Sequence, residues 1–342
     1  MTSATGATRT PAASRRPTAA PPGWRPGWLT IARKEFADHL LSVRFIILLL
    51  VLGLAAVVPL YFAADRIRGL ASQVSGAEAV FIAMFTLGST QVPFLRVDTF
   101  VAIVAPLLGV AFAFDAVNGE RAEGTLPRLL SQPIHRDDVI NGKFAAGLAV
   151  IALVLTAVVG IIAGFGLLRL GLVPASQEVV RIVAWLLATI LYVALWLAFG
   201  LLLSVVVRRA ATSALIAFGV WILVTVFGQL IVGLVAGLVA PISSSNVADQ
   251  LASAQTQQFI MRLLPSTLYQ EVSTVLLIPG ATQVSAPATV GQLVQAQQQI
   301  PTLLSLDQSL LLVWPQVVAL LALTVACFAG AYIAFMRQEV RA

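Results

Sequence analysis

The sequence predicts an all-α polytopic membrane protein, and three observations carry that reading. Apolar residues make up 59% of the chain, charged residues only 11%, and the mean hydropathy is +0.93. Soluble globular domains carry roughly 25% charged residues. The apolar residues fall in continuous runs rather than in the alternation of a membrane strand, so helices are the spanning element. A helix needs about 20 apolar residues to cross the hydrocarbon core. Six runs answer to that requirement, near 44–64, 99–117, 144–168, 181–207, 212–240 and 312–336.

Residues 1–27 are rich in Pro, Ala and Thr, hold Arg9, Arg15, Arg16 and Arg25, and contain no acid. Such a segment cannot bury a core, and a disordered basic tail is expected. The first apolar run begins near Phe45, too deep for a signal peptide, with a transit peptide as the weaker alternative. Residues 28–43 read as an amphipathic interfacial helix. Trp28, Leu29, Ala32, Phe36 and Leu40 share one side, and Arg33, Lys34 and Asp38 fall elsewhere. A helix of this kind lies in the interface plane with its aromatic face among the headgroups. It serves either as a lipid anchor or as an elbow that also braces a cytoplasmic partner.

The membrane domain is expected over 44–342. Pro59, Pro106 and Pro315 fall within spans or at their ends, where each removes a backbone donor and favours a kink. The apolar stretch 79–88 is too short to cross. It reads as an interfacial or surface helix, with a re-entrant segment as the second reading. Residues 303–312 read as an amphipathic lead-in to the sixth span. Between the fifth and sixth spans, 241–311 is rich in Gln, Ser and Thr and is expected on the extracytoplasmic side. Met261 to Val275 predicts a helix broken at Pro265.

The segment 115–143 holds five of the fifteen acids and four of the twenty-one bases. Asn118 and Gly119 permit the second span to end, and Glu120, Arg121 and Glu123 then present mixed charge. Gly124 breaks the helix, and Thr125 is placed to cap the next one. Leu126, Leu129 and Leu130 form a short apolar stripe that Pro133 closes. Arg136, Asp137 and Asp138 open a further helix, and Gly142 and Lys143 lead into the third span. The pattern is helix, break, short amphipathic helix, break, helix. Spacing alone leaves two readings open: a working cytoplasmic elbow, or an ordinary solvated loop.

Lys and Arg set orientation. With the N-terminus inside, fifteen bases lie on the cytoplasmic side and six outside, which places both termini in the cytoplasm of a cell-membrane protein. The positive balance then serves topology and anionic lipid rather than nucleic acid. The single cysteine, Cys327, lies in an apolar run, and the two histidines, His39 and His135, have no ligand-spaced companions. Neither a metal nor another cofactor is expected in this chain. No Gly-rich phosphate loop ending in Lys-Ser or Lys-Thr occurs, since Gly142-Lys143 is followed by Phe144. An enzyme is not expected, because the spans lack a set of catalytic side chains.

The run Glu120-Arg121-x-Glu123-Gly124-Thr125-Leu126, then Leu129-Leu130-Ser131-x-Pro133, then Gly142-Lys143, resembles the signature between the second and third spans of ABC-2 type transporter permeases. The likeness is strongest to the branch that includes the permease of the nitrous-oxide-reductase maturation transporter. It covers about 28–341, and only the 115–143 block is specific. The resemblance implies a permease homodimer bound to two cytoplasmic ATPase subunits, with ATP and magnesium on those partners. It implies a coupling role or ATPase contact for Glu120, Arg121, Glu123, Gly124, Thr125, Leu126, Leu129, Leu130, Pro133, Arg136 and Lys143. The helix bearing Trp28, Arg33, Lys34 and Phe36 matches the family's elbow helix. Export is the expected direction. The second function class is a non-transporting membrane anchor or assembly factor that recruits a partner protein.

Overall fold

The structure is a computed structural model that describes residues 27–69, 80–88, 95–127, 134–241, 247–278, 280 and 304–338. Those residues form a helical membrane protein, with a single antiparallel bridge between Gly88 and Arg96. The helices are α1 Gly27–Leu40, α2 Val43–Gly69, α3 Val80–Thr86, α4 Val97–Ala113 and α5 Asn118–Ala122. After them come α6 Arg136–Arg169, α7 Ser176–Val206, α8 Ala210–Trp221 and α9 Gly228–Val239. The chain closes with α10 Val247–Met261, α11 Pro265–Leu277 and α12 Leu306–Arg337.

Five helices are long and apolar enough to cross a membrane: α2, α4 with α5, α6, α7 and α12. The pair α8 and α9, bent by 53° where a π-helical turn, Ile222–Val226, joins them, makes a sixth if taken as one span. All six apolar runs of the sequence are therefore helical, with limits shifted by several residues. A π turn disrupts the regular ladder of backbone bonds, and a helix bends there readily. Pro59, Pro106 and Pro315 instead lie inside continuous helices. The third span also starts earlier than its apolar run. Helix α6 begins at Arg136, so Gly142 and Lys143 sit inside one unbroken helix rather than in a loop before it.

Helix α7 is the axis of the bundle. It packs on α12, α4, α11 and α6, and buries Trp185, Tyr192, Val193 and Leu197 almost completely. Helix α3, within the 79–88 stretch, does not lie free on a surface. Phe81, Ile82, Met84 and Phe85 of α3 are each at most 2% exposed, so this turn is plugged into the bundle rather than laid on a surface. The Glu178 carboxylate holds it there, accepting the Phe81 and Ile82 N–H groups at 2.9 and 3.2 Å, along with the Ala175 N–H at 2.8 Å. A carboxylate suits these free N–H groups at a helix start.

Among the described residues of 241–311, helix α11 is largely buried. Pro265 opens α11 instead of breaking a longer helix, because its missing N–H has no role at that position. Helix α11 then packs on α7 and α12, burying Tyr269, Val272 and Val275. Glu271 takes Arg262 at 3.0 Å and the Gln316 amide at 2.8 Å. Arg181, one turn beyond Glu178, donates to the carbonyls of Leu276 and Leu304 and to Ser309 Oγ. One end of α7 thus ties down both α3 and α11. The lead-in at 303–312 is continuous with α12 from Leu306, and Ser305 caps it by accepting the Gln308 N–H. The basic tail through residue 26 and the Gln run at 292–299 lie outside the described residues.

Candidate coupling site

At the other end of α7 the charged segment meets three helices. Lys143 points from α6 into a nearly closed space, its side chain 3% exposed. Its Nζ stands 2.8 Å from Glu120 Oε1 on α5 and 3.0 Å from Glu35 Oε1 on α1. An ammonium with such burial is tolerated only when paired. Here two carboxylates on two other helices share it. The triad therefore joins the interfacial helix, the end of the second span and the start of the third.

Helix α1 is held against α6 by further contacts. Asp138 Oδ1 accepts the Trp28 N–H at 3.0 Å, while Oδ2 accepts the His135 N–H at 3.1 Å. One acid thus satisfies free donors at the starts of two helices. Gly142 permits the close approach: a Cβ there would stand 2.8 Å from Ile31 Cβ and from the Trp28 carbonyl. The buried side of α1 is Ile31, Ala32 and Glu35, while Trp28, Arg33 and Lys34 are exposed. Trp28 is 41% exposed, and Phe36 alone of the two aromatics packs toward the core.

The charges of α1 respond to this setting. Burial alone would raise the Glu35 carboxyl, but Lys143 and Lys34 beside it hold it below the ordinary carboxylate range. Glu35 is ionised in the folded state at lower pH than in an unfolded chain. Its stabilising contribution is complete above the ordinary carboxylate pKa and is lost as pH falls through the lowered value. Burial pulls the Lys34 ammonium down, and Glu35 and Asp38 more than offset it. Burial lowers His39, whose ring meets Phe112 edge-on at 5.0 Å. Arg44 pairs with Asp115 at 2.5 Å and covers the Phe114 ring, linking α2 to the end of the second span.

A second knot surrounds Gln338, just past α12. Its amide donates to the Val205 carbonyl at 2.8 Å, and its side-chain oxygen accepts from Arg121. Arg121 donates to the same Val205 carbonyl at 3.2 Å, and Arg136 donates to the Gln338 carbonyl at 2.9 Å. Ser204 Oγ accepts the Val117 N–H at 2.9 Å where the second span unwinds before α5. The ends of α4, α6, α7 and α12 are thereby fastened to the charged segment.

Of the residues selected from sequence, Glu120, Arg121, Arg136 and Lys143 are brought together. Lys143 is interior, so it acts on a partner only through Glu120 and Glu35. Glu123, Gly124 and Thr125 form an exposed rim, and Leu126 is buried behind them. Gly124 has φ +67°, a left-handed conformation natural to glycine at the end of a helix. Thr125 stands directly before the helical residues 126 and 127. Its N–H and hydroxyl both donate back to the Glu120 carbonyl, at 3.0 and 3.2 Å. Leu129, Leu130 and Pro133 lie outside the described residues. Sequence reasoning missed Glu35, Asp138 and Gln338 as members of the site. Glu35 lies four residues after Ile31, on the same helical face, a spacing that signals its inward direction. Gln338 carries no such signal. Among the described residues no group of three or more His, Cys, Asp or Glu is placed to hold a metal ion.

Residues 29–340 match the family described as ABC-2 family transporter protein. The chain is 28% identical over 213 residues to "Probable ABC transporter permease protein NosY" of Stutzerimonas stutzeri, covering 60% of this chain and 69% of that one. It is 27% identical over 252 residues to the protein of the same description from Pseudomonas aeruginosa, covering 71% and 80%. The chain belongs to the ABC-2 transporter family and is a membrane permease subunit of an ABC transporter.

Proposed function

We propose that this chain is the transmembrane subunit of an exporter, working as a homodimer in the cell membrane with both termini in the cytoplasm. A separate cytoplasmic ATPase binds ATP and magnesium and supplies the energy. The observation that carries the reading is the buried Lys143 held between Glu35 and Glu120. It makes the elbow, the charged turn and the third span move as one body. A push on the exposed rim at Glu123, Gly124 and Thr125 then reaches the bundle through Glu120 rather than dissipating in a loose loop. Outward transport is taken from the family resemblance, as are the dimer and the location of ATP.

The test is copurification. The permease is expressed with an ABC ATPase subunit from the same genome, and both retention and ATP hydrolysis are measured. Retention of the ATPase, with hydrolysis altered by the permease, is the expected result. A permease that neither retains the ATPase nor changes its rate is a membrane anchor, and the transport reading then fails.

A further inference from the structure

At the Lys143 end of the bundle, five arginines stand without an acid to neutralise them. Arg121 bonds only neutral oxygens, the Val205 carbonyl and the Gln338 side chain. Arg136 donates to the Gln338 carbonyl and lies over the Phe335 ring, 6.0 Å from its centroid. Arg337, the residue before Gln338, is exposed. Arg208 and Arg209 are exposed in the short connection between α7 and α8. Asn118 holds that connection against α5 by donating to the Val207 carbonyl at 3.2 Å. Arg208 comes close enough to Arg121 for their like charges to repel. Among the described residues none of the five forms an ion pair. Neighbouring acids are committed elsewhere. Glu35 and Glu120 hold Lys143, Asp115 holds Arg44, and Asp138 accepts the Trp28 and His135 N–H groups.

Positive charge concentrated in this way favours an anion. Guanidinium groups suit phosphate, which they can bind at two points. A second observation says what carries that phosphate. The arginines sit where three membrane helices end, and exposed apolar side chains begin beside them: Val206 on α7, Leu215 and Phe218 on α8, and Ile333 and Met336 on α12. An acidic soluble partner would meet the charges and leave this apolar surface bare. A phospholipid covers both, with its headgroup on the arginines and its acyl chains along the helices. Basic pockets at the ends of membrane helices suit acidic headgroups. We propose that this patch binds an anionic phospholipid whose phosphate is taken by Arg208 and Arg209 beside Arg121. The lipid relieves the repulsion between Arg208 and Arg121 and so steadies the knot at Gln338. This goes beyond the transport reading and rests only on the membrane placement of the bundle.

Phosphatidylglycerol and phosphatidylcholine are the probes, titrated into the detergent-purified full chain without ATPase and followed by native mass spectrometry. Phosphatidylglycerol is expected to bind about tenfold more tightly than phosphatidylcholine. Arg208→Gln with Arg209→Gln should bring that ratio below about twofold. Arg66→Gln with Arg68→Gln, at the far end of α2, should leave it unchanged. Should the first double variant fail to fold, Arg208→Gln alone should still lower the ratio. Equal binding of the two lipids by the unaltered chain overturns the proposal, as does a ratio that the Arg208 and Arg209 changes leave intact. An equal fall in the Arg66 and Arg68 variant reduces the effect to general surface charge and also overturns it. So does displacement of phosphatidylglycerol by inorganic phosphate at matching concentration, which marks a simple anion site. Loss of ATPase retention in the Arg208 and Arg209 variant, with lipid preference unchanged, assigns the patch to the ATPase instead. A failed transport reading would appear in the copurification assay and leave these ratios as they are.

Discussion

Lys143→Met is expected to destabilise the permease by about 3 kcal/mol and to abolish its effect on ATP hydrolysis. The methylene stem is kept, so packing changes little. The loss comes from charge: Glu35 and Glu120 both lie within 3.0 Å of the ammonium and are left facing one another. Their side chains are 12% and 18% exposed, so water relieves part of the strain, which places the figure at the low end of the range for broken buried pairs. Replacing both acids by Gln in the same chain removes the repulsion and should recover most of the thermal midpoint. It should not recover coupling, because the three helices remain unfastened. A single substitution with an unchanged midpoint, or a triple variant no better than the single, would rule out the triad as the fastening.

Glu178→Ala is the second large effect, and it acts at the opposite end. Three N–H groups, from Phe81, Ile82 and Ala175, lose their acceptor in a site where the carboxylate is 7% exposed. Each orphaned donor costs about 1–3 kcal/mol, and the three share one acceptor, so a local loss of about 3 kcal/mol is expected. Hydrogen exchange of amides 80–86 should accelerate accordingly, with the Lys143 triad unaffected. Glu178→Gln retains an acceptor oxygen and should fall between. Unchanged exchange at 80–86 in the Ala variant would show that α3 is held by its apolar contacts alone.

These two sites differ in how legible they were. The spans were readable because a helix in lipid must be apolar for about 20 residues, and that leaves a long unmistakable signal. The charged turn was readable because such charge is costly unless it meets water or a partner. What spacing does not show is which partner. Lys143 reads as a loop residue, and only the early start of α6 at Arg136 turns it inward toward Glu35, more than one hundred positions away. Glu178 and Arg181 look like ordinary flanking charges of a span. Their role depends on α3 and α11 folding back against the end of α7, a tertiary event with no local mark. The same holds for α3, whose ten-residue apolar stretch fits a surface helix or a buried plug equally well until its neighbours are known. The turn at Gly124 directs the Thr125 N–H and hydroxyl back to Glu120, a contact that spacing alone does not show.

The central claim is that the exposed rim beyond Glu120 receives the push of a nucleotide-driven subunit. Site-directed cross-linking from Thr125→Cys to the copurified ATPase, with and without ATP, measures this directly. The account predicts a specific adduct whose yield changes with nucleotide, and whose nucleotide dependence disappears in Lys143→Met. Labelling of Thr125→Cys by an impermeant thiol reagent from outside intact cells, with no adduct to the ATPase, would contradict it.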